Sequence, residues 1–233
     1  MDRALSAAPG PIPLLAPTDG WRDVPIEPVD EPLVAVADIG PRVHDDPRYH
    51  AMGLPGAVPR GWVREGVAER LAAVAAALPD GRSLVVWDGY RSLETQAALY
   101  HGYLEELAMV HHDWPGEALE VAASRYVTPP SRALSAPPPH LTGGAVDLTL
   151  GDGDGRPLDL GTGFDAFVPE AAARALEGTP GQVRDLRRTL YWAMAGQGFT
   201  AYLEEWWHFD YGDQFWGLAT SRAACYAAAR GPQ

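Results

Sequence analysis

The sequence predicts a single α+β domain, a small and mainly antiparallel sheet with helices packed on it. Three observations lead there. Apolar residues recur at helical spacing in separate stretches, short apolar runs bounded by glycine and aspartate read as strands, and the two kinds mix without a regular βαβ alternation. With 233 residues, 46% of them apolar, the chain has material for one sizeable core.

Residues 1–20, rich in Pro and Ala, read as a flexible tail, and residues 21–233 as the domain. The stretch 21–63 carries many prolines and predicts loop and short strand. Over 64–78, Val67, Leu71, Val74 and Leu78 share one helical face, and Pro79-Asp80-Gly81 ends it. Leu84-Val85-Val86-Trp87 predicts a buried strand. Ser92 is placed to cap a helix over 92–108 with Leu93, Ala97, Tyr100 and Leu104 on one side. A short helix is expected near 116–124. The proline-rich stretch 128–139 is a loop that leads into His140. Ala145 to Leu150 predicts a strand, and residues 151–155 a turn. A helix over 182–196, a strand-like segment from Tyr202 to Tyr211 and a C-terminal helix complete the set.

Composition excludes several functions. The net charge of −13 repels phosphate backbones, so nucleic acid is not an expected partner. No run approaches the roughly 18 consecutive apolar residues of a membrane span. The N-terminus lacks the sustained apolar run of a secretory signal, so a cytoplasmic location is expected. All 18 basic residues are arginine, which excludes Schiff-base chemistry on lysine. One cysteine, Cys225, can neither form an internal disulfide nor build a cysteine zinc site. Any metal site must therefore use histidine and carboxylate.

Three segments carry chemistry. In His140-Leu-Thr-Gly-Gly-Ala-Val-Asp147 a loop histidine precedes a strand aspartate, with two glycines between them that permit a tight turn. In Glu205-Trp-Trp-His208 a carboxylate lies three residues before an imidazole. On an ideal strand those two would face opposite ways, so they converge only if the backbone turns locally. In Trp87-Asp-Gly-Tyr-Arg91 an arginine follows a buried strand. It can serve a developing oxyanion, or form a structural ion pair with Asp88 or Glu94. Two histidines and one aspartate would leave a fourth zinc position open, and a neighbouring glutamate could take a proton from water. Together these are the parts of metal-assisted amide hydrolysis. His111-His112-Asp113 reads as a solvated helix end, and Asp152 and Asp154 as a hairpin turn that lacks the later ligands of a calcium loop.

The segments WDGYR at 87–91, HLTGGAVDLTL at 140–150, LGTGFDAF at 160–167 and EWWHF at 205–209 resemble, in order and spacing, the D-alanyl-D-alanine dipeptidases of the VanX type. These belong with the zinc D,D-peptidases, whose fold the signalling domain of Hedgehog proteins resembles. The resemblance covers about residues 40–212. It implies one Zn2+ per chain on His140, Asp147 and His208. Glu205 would be the general base and Arg91 the stabiliser of the tetrahedral intermediate. Asp165 and Tyr49 would meet the substrate's free amine. The implied substrate is a small peptide such as D-Ala-D-Ala. Four features depart from the pattern: Pro138 stands where the family has Ser, Ser92 stands where it has Pro, the family's Asn-Phe after the Tyr49 equivalent is missing, and the segment 109–139 with its proline run is unusual. A second expectation is therefore the same metal centre recruited to another amide or amino-acid-derived metabolite.

Overall fold

The computed structural model describes residues 9–232. Strand β1 (Leu33–Ala35) and β2 (Val43–Asp45) come first, with the short helix α1 (Arg48–Ala51) and β3 (Trp62–Arg64) after them. Helix α2 (Glu65–Ala77) follows. Its predicted stripe is observed: Val67, Leu71 and Val74 are fully buried. Next come β4 (Arg82–Asp88), α3 (Leu93–Val110), α4 (Gly116–Ser124) and β5 (Val146–Asp152). Helix α5 (Gln182–Ala195), β6 (Thr200–Ala201), β7 (His208–Asp210) and α6 (Gln214–Thr220) complete the chain.

The main sheet has the order β2-β4-β5-β7-β6. Only β2 and β4 run parallel; the other pairs are antiparallel. β1 and β3 form a separate antiparallel pair. Strand β4 is buried continuously from Ser83 to Trp87, as expected of a central strand covered on both faces. Leu84, Val86, Leu148 and Leu150 from the sheet join Leu71 and Val74 of α2 and Leu190 and Met194 of α5 in one core. A second, smaller cluster joins Tyr100 of α3 to Ala123 and Val127 at the end of α4.

The structure differs from or sharpens the expectations at four points. The segment 202–211 is not one strand: the chain turns over 203–207, and β7 begins only at His208, where pairing with β5 starts. The C-terminal helix spans just Gln214–Thr220, capped by Asp213, which accepts the Trp216 N–H at 3.0 Å. On α3 the deeply buried side chains include Thr95 and Gln96, while Leu93, Ala97 and Leu104 are only partly buried. The reason is polar: Gln96 donates to the Thr128 carbonyl at 2.6 Å and so ties down the proline-rich loop. Residues 1–8 of the expected tail lie outside the described residues. Residues 9–20 are partly docked: Ile12 is buried, its N–H meets Glu177, and its carbonyl accepts from Arg174.

Candidate metal centre and cleft

The site grows out of strand register. Asp147 of β5 lies directly opposite His208 of β7. On the other side, a register shift between Val86 and Asp88 brings Asp88 opposite Asp147. Such a bulge re-aims a side chain without ending the strand. Three functional side chains therefore sit in one row across three strands.

His140 arrives from a loop. A 3-10 turn, Pro139–Thr142, carries it, and Gly143 ends that turn at φ 74°, a conformation that favours glycine. At Gly144 a Cβ would meet the Tyr211 carbonyl at 2.5 Å, so the chain can enter β5 there only without a side chain.

His140, Asp147 and His208 converge, with all three possible ligand atoms within 4.8 Å of one another. His140 Nε2 lies 3.2 Å from His208 Nδ1, which lies 2.9 Å from Asp147 Oδ1. The opposite ring nitrogens fix the tautomers. His140 Nδ1 lies 2.8 Å from the Gly89 carbonyl, which can only accept, so that nitrogen carries a proton. His208 Nε2 donates in the same way to Asp210 Oδ1 at 2.9 Å. In the neutral rings both inward nitrogens present lone pairs beside a carboxylate, an arrangement that favours a cation there, whether a proton or a metal ion. Outer hydrogen bonds of this kind orient histidine ligands in metal sites. The residues present therefore fit a divalent ion.

Electrostatics agree. Burial alone would raise the Asp147 carboxyl, yet His140 and His208 hold it well below its ordinary value. Burial lowers His208, but Asp210 and Asp147 outweigh it and push the imidazole well up. The site is built to stabilise positive charge at that point.

Glu205, buried in the 203–207 turn, lines the same cleft. Burial, with Asp147 and Asp165 nearby, pushes its carboxyl well above the ordinary value against the pull of His208. The local turn required to bring Glu205 and His208 together is thus present.

Arg91 is buried and extensively partnered. Its Nε donates to Asp88 at 2.8 Å, Nη1 to Gln96 at 3.1 Å, and Nη2 to both Tyr49 and Asp147 at 3.2 Å. One Nη1 hydrogen has no partner among the described residues. The ion pair with Asp88 forms; none forms with Glu94. Tyr49 donates to Asp165 Oδ1 at 3.2 Å. Burial lifts the Asp165 carboxyl to about 7, against the lowering effect of Arg91.

The cleft holds about 530 Å³ of empty volume, open solvent at its mouth included. Its lining brings together all seven candidate residues: Tyr49, Arg91, His140, Asp147, Asp165, Glu205 and His208. Asp88, expected as an ion-pair partner of Arg91, also lies 3.3 Å from His140 Nδ1. Two supporting residues were not anticipated. Asp210 shares a strand face with His208 at i+2, a signal that was available. Gln96 had no local signal. His111 lies away from the cleft, stacked on Trp114 at 3.8 Å.

This cleft, on this α+β sheet, defines a peptidase-type site with a candidate metal centre. The chain belongs to peptidase family M15: the family model described as D-ala-D-ala dipeptidase matches residues 33–228. A D-alanyl-D-alanine dipeptidase of Synechocystis sp. is 28% identical over 227 residues, covering 86% of this chain and 90% of the relative. The Escherichia coli D-alanyl-D-alanine dipeptidase is 29% identical over 63% of this chain and 64% of its own length. That of Enterococcus faecalis is 30% identical over 63% and 72%. Among the described residues no helix is long and apolar enough to cross a membrane.

Proposed function

We propose that the chain is a zinc-dependent dipeptidase acting on D-Ala-D-Ala or a closely similar dipeptide. The observation that carries this reading is the convergence of His140 Nε2, His208 Nδ1 and Asp147 in a cleft that also holds Glu205. Family membership and the names of the relatives support it.

His140, Asp147 and His208 would hold the ion, with Gly89 and Asp210 fixing the two imidazoles. When bound, zinc supplies a Lewis acid for the scissile carbonyl and for water. Glu205 takes a proton from the attacking water and returns it to the leaving amine. Burial beside Asp147 and Asp165 raises its proton affinity, which strengthens the carboxylate as a proton acceptor. Arg91 turns its remaining Nη1 hydrogen to the developing oxyanion, while its other donors lock the guanidinium in place. Asp165, steadied by Tyr49, pairs with the dipeptide's ammonium and so selects a free N-terminus.

The test is hydrolysis of a dipeptide panel by zinc-loaded protein. Release of D-alanine from D-Ala-D-Ala, with the L,L isomer spared, supports the reading. Stoichiometric zinc with no dipeptide cleaved would point to another amide substrate.

A further inference from the structure

The dipeptide has a second charge, and the cleft has a second arginine. Two arginines line it, Arg91 and Arg125. Arg91 has four of its five N–H groups engaged by Asp88, Gln96, Tyr49 and Asp147, which leaves no pair of donors for a carboxylate. Arg125 differs. Its Nη2 pairs with Glu204 at 2.6 Å, and its Nε and Nη1 donors are free among the described residues. Its side chain is 56% exposed, so it is open to a ligand.

Its placement fits the size of a dipeptide. The Tyr202 hydroxyl donates to the Arg125 carbonyl at 2.5 Å, and the Tyr202 ring centroid lies 5.7 Å from that of His208. One tyrosine side chain thus spans the distance from the candidate metal centre to the Arg125 backbone. A residue of extended chain covers roughly 3.3–3.6 Å, so the carboxylate one residue beyond the scissile carbonyl stays within the cleft that Arg125 and the candidate metal ligands line together. The segment is also held in place: Gln96 ties Thr128 at 2.6 Å, and Glu204 tethers the guanidinium. A planar fork of free donors suits carboxylate recognition.

We propose that Arg125 is the residue of this chain that receives the C-terminal carboxylate of the dipeptide. This rests on the dipeptidase reading and adds a specificity residue to it.

The experiment compares binding of D-Ala-D-Ala and its C-terminal amide by calorimetry, using zinc-loaded Glu205→Gln protein, whose turnover should be slowed about 10²–10⁴-fold. The acid should bind roughly 10–100-fold more tightly than the amide, the scale of a charge-assisted pair. Adding Arg125→Gln should remove most of that difference and leave amide binding nearly unchanged. Adding Glu204→Gln instead, which breaks the ion pair but keeps the cation, should preserve the preference for the acid. Equal binding of acid and amide, an acid preference that survives Arg125→Gln, or its equal loss in Glu204→Gln would each overturn the proposal. The dipeptidase reading fails separately, if the native zinc-loaded protein cleaves neither compound.

Discussion

Asp147 and His208 face each other across the β5–β7 ladder, with Asp147 Oδ1 2.9 Å from His208 Nδ1. Opposite positions in an antiparallel pair hold their Cβ atoms about 5 Å apart, so the sheet itself sets the spacing of two candidate ligands. Only His140 must be delivered by a loop, and the 3-10 turn with its left-handed Gly143 does so.

Glu205→Gln removes the proposed base while keeping the side chain's shape. Turnover should fall by about 10²–10⁴-fold. Bound zinc should remain stoichiometric, since Glu205 is outside the ligand set. Steady-state kinetics with metal analysis checks both, and near-normal turnover would refute the assignment.

Asp210→Asn weakens the anchor that orients His208. Zinc affinity should drop by about 10–100-fold, the usual effect of losing such a partner. A competitive chelator titration reads this directly. Unchanged affinity would mean that the 2.9 Å contact between Asp210 and His208 is incidental.

Asp165 gives a pH signature. Its carboxyl titrates near 7 in the folded protein, so the anion needed for the ammonium appears only as pH rises through that value. KM should therefore climb as pH falls from 8 to 6. Asp165→Asn should raise KM and flatten that limb. The linkage has the opposite sign for stability. Folding raises this acid's pKa, so its ionisation costs stability progressively from the unfolded value near 4 up to about 7. Asp165→Asn should thus raise Tm at pH 8 and change it little at pH 4.

Leu71→Ala tests the core apart from the site. Leu71 is fully buried in the cluster that joins α2 to the sheet and α5. The substitution should cost about 2–5 kcal/mol in denaturant unfolding. The protein that remains folded should keep its zinc affinity.

Much of this was legible in the sequence for physical reasons. The α2 stripe shows because one apolar face must repeat every 3.6 residues. His140, Asp147, Glu205, His208 and Arg91 show because metal, proton and charge chemistry restrict residue type, whereas Asp165 and Tyr49 were indicated only by the family resemblance. What escaped was non-local. The docking of Ile12 depends on Glu177 and Arg174, more than 160 positions away, so a Pro- and Ala-rich stretch looked free. Gln96 looked like an ordinary helix residue until its partners Arg91 and Thr128 were placed. The segment 202–211 has strand-like composition, but the turn that presents Glu205 interrupts it.

The most direct measurement is an anomalous-difference map from a crystal grown with zinc. One peak should lie about 2.0–2.2 Å from His140 Nε2, His208 Nδ1 and an Asp147 oxygen, with Glu205 outside bonding distance. No peak there, or zinc held by a different set of side chains, would contradict the account.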